Sequence, residues 1–412
     1  MNNYKRKLNL IQSGISDFNY GDIIIYNQHT LSESFNLLTY LSNDTLDIIS
    51  RDVYEIDEFK DELFYFVFPT STPGLIELFS DVLSYDCEFS KQVIKLLKSD
   101  NVRTVFIDVH EVHQIDWLNE ISNKFNKLDV NFKNIFWINN DFNLNFYKKK
   151  YNWHFNVGKT NHLIHNTCKG MLKNPITFVE NKQGPFFLCK NKMPRPHRIS
   201  ILSFLDKFGL IDDTNFSLLR PNFHIYYDST LYQKLITHPS DMDIVNKYLN
   251  STPINTISEI NRIELNNPNL NLDFAGEVDS RDYSQSYINI TTESVFFEDN
   301  IHLSEKSFKP FTFYQLPIIV SSANHVKVLR DYYKFDLFDD LINHSYDSEA
   351  DNSKRFAMIV DEIRRLYSIK DIVKKYYIEN KHRLEYNRNI IYEISKPGID
   401  VNLFNSIIKK MV

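Results

Sequence analysis

The segment Leu303-Ser304-Glu305-Lys306-Ser307-Phe308-Lys309-Pro310 gathers side chains suited to holding a phosphorylated ligand. Ser304 is a good N-cap residue, so a helix is expected from there to about residue 315. The free N–H groups of its first turn, and the helix dipole, favour an anion such as a diphosphate. Lys306 and Lys309 lie three residues apart and can share a face as cationic donors. The Glu305 carboxylate can accept two hydrogen bonds from a ribose diol. The same residues also suit a helix start with no ligand, Glu305 serving the dipole and the lysines staying solvated.

A second cationic group lies upstream, in Leu188-Cys189-Lys190-Asn191-Lys192-Met193-Pro194-Arg195-Pro196-His197-Arg198. It follows an expected strand and precedes an expected helix. Lys190, Lys192, Arg195 and Arg198 concentrate charge where a phosphate would arrive. Arg195 or Arg198 could pair bidentately with a pyrophosphate and offset leaving-group charge without a metal. Alternatively, the group is a basic loop at a helix start.

General-base chemistry needs a carboxylate or imidazole beside a hydroxyl. Asp108-Val109-His110-Glu111-Val112-His113 follows the expected strand over 102–108. Its histidines are three apart rather than four, on an expected loop, so it does not read as a zinc-protease motif. Asp108, Glu111 or a neighbouring histidine could serve as base, or Asp108 could cap the following turn. Asp141, after the expected strand over 134–138, is topologically comparable, and spacing does not choose between them. Lys148-Lys149-Lys150 stand among Phe146, Tyr147, Tyr151, Trp153 and Phe155. That mixture suits a polyanionic or base-stacking acceptor; a solvated face with its aromatics packed inward is the alternative.

These residues need a scaffold of strands and helices. Short apolar runs at 22–26, 63–68, 102–108 and 134–138 read as strands, with helical patterns at 75–83 and 116–125 between them. After an irregular stretch, strands are expected at 185–190, 287–291 and 317–321, with helices at 199–208, 304–315 and 325–333. Residues 209–285 look loop-rich. Such alternation gives parallel sheets covered by helices. The fold class is therefore α/β: two Rossmann-like, doubly wound domains facing a central cleft, with ligands at the carboxyl ends of the strands. The expected division is 1–182, 183–367 and a helical tail over 368–412.

Length and composition agree with this. The 412 residues exceed one ordinary core, 42% are hydrophobic and 24% are charged, so two packed domains are expected. The net charge of −6 weighs mildly against a dedicated nucleic-acid binder, although a local basic patch could still serve. Cys87, Cys168 and Cys189 are too few and scattered for a disulfide framework and read as buried thiols in a reducing compartment. No signal-peptide pattern opens the chain and no run reaches membrane-span length, so a cytoplasmic location is expected. Abundant Asn, Ile, Lys, Phe and Tyr with scarce Ala fits A/T-rich coding, as in a phage or a low-GC bacterium.

Thr292-Glu293-Ser294, followed by the Leu303–Pro310 segment, resembles the nucleotide-sugar signature of the fucosyltransferase-like GT-B glycosyltransferases. It is closer still to phage and viral glycosyltransferase-like proteins, in which Glu-Lys is followed by Lys-Pro. The Asn191-to-Arg195 turn is similar to the strand–Asn-x-x-x-Arg–helix turn of these transferases. The likeness is specific over about a third of the C-terminal domain and architectural elsewhere. It implies donor contacts at Lys190, Arg195, Arg198, Glu293, Ser294, Ser304, Glu305, Lys306 and Lys309, with Glu305 on the ribose and Lys306 on the phosphates. Position at the strand ends, rather than the likeness, offers a catalytic base among Asp108, Glu111 and Asp141, and residue type offers acceptor contacts at Lys148, Lys149 and Lys150. The donor would be a UDP- or GDP-sugar, with no essential metal expected. The acceptor would be a surface glycan or hydroxymethylated bases of phage DNA. A non-catalytic nucleotide- or glycan-binding protein of the same fold is the alternative. One departure stands out: the family usually carries Gly shortly before the Pro-apolar strand, where this chain has Tyr314-Gln315-Leu316.

Overall fold

The computed structural model describes residues 7–12, 19–20, 23–24, 47–52, 64–69, 88–108, 115–139, 141–159, 162–173, 176–191, 195–218, 229–236, 239–250 and 280–396. The chain divides into two compact units, Met1–Leu163 with Pro397–Val412, and Ile164–Lys396. Among the described residues no helix is long and apolar enough to cross a membrane.

The first unit contains, in chain order, β1 (Lys7–Gln12), β2 (Asn19–Tyr20), β3 (Ile23–Ile24), β4 (Asp47–Asp52), β5 (Phe64–Pro69), α1 (Glu88–Lys98), β6 (Val102–Asp108), α2 (Ile115–Leu128), β7 (Ile135–Asn139), α3 (Leu144–Lys150) and β8 (Asn156–Lys159). Six strands form one sheet in the order β4-β1-β5-β6-β7-β8, and every pairing is parallel. Of the isoleucine-rich run at 22–26, expected as a buried strand, the described residues 23–24 form β3, which pairs antiparallel with β2. The position beside β5 belongs to β1, whose alternating Lys-Leu-Asn-Leu-Ile-Gln is a weaker apolar signal. The expected helix over 75–83 lies outside the described residues.

Val93, Leu96 and Leu97 of α1 and Leu118, Ile121 and Phe125 of α2 are all buried, at the spacing of a helix's core-facing stripe. They join a core with Phe106 and Trp137, whose rings stack at 5.1 Å. Fully burying a side chain of this size stabilises by about 1.5–3 kcal/mol, so a polar replacement of Phe106 or Trp137 forfeits about that much.

The second unit contains α4 (His162–Met171) from Ile164 on, β9 (Phe187–Asn191), α5 (Pro196–Lys207), β10 (Thr214–Leu218), α6 (Ser229–Gln233), α7 (Pro239–Asn250), α8 (Ser280–Ser284), β11 (Ile288–Thr292), α9 (Glu305–Thr312), β12 (Leu316–Val320), α10 (His325–Asp331), α11 (Asn352–Ser368), α12 (Lys370–Glu379) and α13 (Lys381–Ile394). Its sheet runs β10-β9-β11-β12, all parallel. β11 and β12 are buried along their whole length. The chain passes from β9 outward to β10, then returns to the other side of β9 to place β11. The winding therefore reverses between β9 and β11, the crevice where open α/β sheets take their ligands.

Candidate functional site

Both sequence motifs flank that reversal, and they are built as one piece. β11 ends at Thr292, and the Glu293 side chain is fully buried. Its carboxylate accepts the backbone N–H groups of Ser294, Ser304 and Ser307 at 3.1–3.2 Å. It also accepts the hydroxyls of Ser304 at 2.7 Å and Ser307 at 2.5 Å. Burial alone would raise this carboxyl; the Lys306 ammonium, first among the opposing causes, and the Ser307 bond help to hold the group ionised, well below the usual carboxylate range. The first turn of α9 thus carries an anion from its own chain. The Ser304 hydroxyl passes this interaction outward, accepting the Lys306 backbone N–H at 3.3 Å and its ammonium at 3.1 Å.

Behind Glu293, the Ser307 hydroxyl also lies 2.7 Å from His325 Nε2. The single Ser307 proton is given to Glu293, so His325 must donate Nε2–H to Ser307 Oγ. Burial lowers the His325 pKa to about 4 despite the pull of Glu293, and its Nδ1 lies 2.9 Å from the Ser321 hydroxyl, which is also 3.2 Å from the Val295 carbonyl. This chain of contacts ties the helix start to the end of β12.

The upstream motif is stapled to the same strand end. Arg195 donates to the Ser294 carbonyl, His197 Nε2 to the Glu293 carbonyl at 2.8 Å, and buried Arg198 to the Thr292 and Glu293 carbonyls at 3.3 and 3.0 Å. On the far side, buried Arg355 donates to the carbonyls of Ser321 at 3.1 Å and Phe296 at 2.6 Å, fixing the loop after Ser294.

Exposure separates the residues a ligand can touch from those that position them. Arg195, Ser294, Glu305, Lys306 and Lys309 are partly exposed, whereas Arg198, Glu293 and Ser304 are buried. Glu305 and Lys306 pair at 2.9 Å. Burial would raise the Glu305 carboxyl, but Lys306 and Lys309 beside it bring it below its usual range. Lys309 lies 6.0 Å from the Tyr283 ring centroid. Lys190 is engaged by Asp282 at 2.8 Å and Asn215 at 2.8 Å, so its charge is met on the protein side. Lys192 lies outside the described residues. Arg195, Arg198, Lys306 and Lys309 face two carboxylates, Glu293 and Glu305, leaving two positive charges in excess at the strand ends.

Tyr314 explains the missing glycine. α9 ends in a Schellman turn in which Gln315 N–H donates to the Pro310 carbonyl at 2.8 Å, and Tyr314 takes the left-handed position with φ 52°. That position is usually glycine's. Here the Tyr314 ring packs on Phe178 at 5.8 Å and under Arg388 at 5.1 Å.

In the first unit, Asp108 closes β6 opposite Asn139, and Glu111 lies outside the described residues. Asp141 is buried and accepts the Asn143 backbone N–H at 2.8 Å. Lys148 donates to the Phe155 carbonyl, while Lys149 and Lys150 are exposed. Ser307, His197, His325, Ser321 and Arg355, which the sequence reading did not select, prove to be the frame of the site. Ser307 and His197 had a signal, their places inside the two motifs. Among the described residues no group of three or more His, Cys, Asp or Glu side chains is arranged to share a metal ion. A concavity of about 700 Å³ around α10 is lined by Lys327, Arg330, His344 and Asp347 among others and includes no residue of the two motifs.

No family model and no curated protein matches the chain. Its fold is similar to solved structures of a DNA-modifying β-glucosyltransferase, determined with and without uridine diphosphoglucose, at 12% identity over 98% of this chain and 99% of that one, with a TM-score of 0.43. A structure of the T4 phage β-glucosyltransferase is similar at 14% identity, with the same coverage and a TM-score of 0.40. The T4 phage enzyme in complex with UDP and Mn²⁺ gives 14% identity, the same coverage and a TM-score of 0.39.

Proposed function

We propose that this chain is a GT-B glycosyltransferase that moves a sugar from a UDP- or GDP-sugar to a hydroxyl acceptor. The observation that carries this reading is the convergence of the Arg195–Arg198 turn and the Glu293–Lys309 motif on the reversal point of the second sheet. Two segments about a hundred residues apart, each resembling part of a nucleotide-sugar signature, are hydrogen-bonded into one unit.

In this reading Lys306, Lys309 and Arg195 meet the diphosphate and stabilise its charge as the sugar leaves. Glu305 binds the ribose. Glu293, Ser304, Ser307, His325 and Arg198 position these groups without touching the donor. The first unit is the acceptor side, where Asp108, Glu111 or Asp141 deprotonates the hydroxyl. The acceptor is a saccharide of a surface glycan or a hydroxymethylated base of DNA.

Mass spectrometry of acceptors incubated with the chain and a panel of UDP- and GDP-sugars tests this. The expected result is an acceptor heavier by one sugar residue, with nucleoside diphosphate released in equal amount. Hydroxymethylcytosine DNA and oligosaccharides, run side by side, assign the acceptor class. Absence of transfer to every acceptor, with no nucleotide bound, would contradict the reading.

A further inference from the structure

α3 and the turn after it carry a surface that the donor site does not use. Phe146 is 54% exposed and Tyr151 38% exposed. The Lys150 ammonium lies between them, 5.7 Å from the Phe146 ring centroid and 5.2 Å from that of Tyr151. Lys149 is exposed beside it. Lys148 instead turns inward to the Phe155 carbonyl, so the outward cations are Lys149 and Lys150.

The Tyr151 ring is held from behind. It stacks on buried Tyr147 at 6.2 Å and on buried Trp153 at 6.0 Å, and Trp153 stacks on buried Phe155 at 5.4 Å. Trp153 is anchored in turn by its indole N–H, which donates to Asn119 Oδ1 at 2.7 Å. This series of rings runs from the surface into the core, so Tyr151 is presented in a fixed orientation.

The patch is also cationic on an acidic protein. From Asp141 to Lys159 the sequence has four lysines and one acid, in a chain of net charge −6. That acid, Asp141, is buried and engaged by the Asn143 N–H.

We propose that this surface takes a polynucleotide strand with unpaired bases, which stack on Phe146 and Tyr151 while adjacent phosphates meet Lys149 and Lys150. Aromatic faces offer stacking to any exposed base, and lysines track the backbone. A duplex hides its base faces, which leaves the two rings without a role. A neutral glycan would gain nothing from the lysines. The proposal stands independently of sugar transfer.

Fluorescence anisotropy of a labelled oligothymidylate, with a duplex of equal length and anionic phospholipid vesicles as comparators, tests it on the full chain. The single strand is expected to bind at least ~10-fold more tightly than the duplex, and Phe146→Ala/Tyr151→Ala to weaken it by ~10-fold or more. Lys149→Gln/Lys150→Gln should reduce the slope of log K against log salt by about 1.4, two phosphate contacts at roughly 0.7 each. Phe146→Ala alone, at the more exposed ring, should reproduce part of the loss with an unchanged Tm. No single-strand binding at low salt, equal binding of duplex, binding unaffected by ring removal, or binding of vesicles alone would overturn the proposal.

Discussion

Glu293 reaches fourteen residues along the chain to Ser307 and accepts both its backbone N–H, at 3.2 Å, and its hydroxyl, at 2.5 Å. That double contact welds the end of a central strand to the first turn of the helix that displays Glu305, Lys306 and Lys309. A helix N-terminus normally attracts an external anion. Here a buried carboxylate already fills the inner half of that role, and the outer half falls to the lysines. Replacing Glu293 by Gln should cost roughly 3 kcal/mol, because one amide cannot serve five donors and the partner charges stay buried. Urea unfolding would measure it; a loss within experimental error would mean the network does not support the helix.

Acid should loosen the same structure in two stages. His302 and His325 are buried and neutral, with pKa values lowered to about 4 from 6.5 by desolvation. Between those values the unfolded chain binds more protons than the folded one, so stability falls as pH drops from 6.5 toward 4, by at most ~1.4 kcal/mol per pH unit for each histidine. Glu293 has a depressed pKa, so its contribution persists above about 4.3 and is lost as pH falls further. Denaturation midpoints at pH 7.5, 5.5 and 4.5 should fall in order, and His325→Gln should flatten the upper stage.

Lys182 should act in the opposite pH range. Its ammonium is buried, 4.9 Å from the Tyr377 ring centroid and 3.4 Å from the Tyr314 carbonyl. Desolvation lowers its pKa to about 7 from 10.5. The folded chain binds fewer protons than the unfolded one across that window, so stability should rise with pH from 7 to 10.5, again by at most ~1.4 kcal/mol per unit. Lys182→Met should abolish this slope and be the more stable form at pH 6. A wild-type stability that stays flat from pH 7 to 9 would contradict the assignment.

Arg195 and Arg198 should separate binding from folding. Arg198 is buried against strand-end carbonyls, and Arg198→Met should destabilise by about 2 kcal/mol or more. Arg195 is partly exposed, and Arg195→Gln should change stability by less than about 1 kcal/mol while weakening nucleotide affinity at least ~10-fold. Thermal melts paired with nucleotide titration would read both; equal effects from the two variants would remove the distinction.

The fully buried strands were legible because burial on both faces demands continuous apolar sequence, as in Ile-Phe-Trp-Ile-Asn of β7 inside its sheet and Leu-Pro-Ile-Ile-Val of β12, an edge strand that is nonetheless buried throughout. The edge strands β8 and β10 were not. Asn-Val-Gly-Lys is only partly buried along its length, and Thr-Asn-Phe-Ser-Leu interleaves polar residues, so neither carries such a run. The site divided in the same way. Glu305, Lys306 and Lys309 could be read from their spacing at a helix start. Glu293 was read as a ligand contact because sequence does not show that both its oxygens are spent on α9. Nothing in the order of residues announced that His325 would lie behind Ser307, since that meeting depends on two adjacent strands ending at one level.

Calorimetric titration of UDP and GDP into the wild-type chain and Lys306→Ala tests the donor site most directly. One of the two nucleotides should bind the wild type, and Lys306→Ala should weaken that binding at least ~10-fold at a temperature where both chains are folded, its melting temperature falling because buried Glu293 loses the ammonium beside it. Binding of neither nucleotide to the wild type, or binding that Lys306→Ala leaves untouched, would contradict the account.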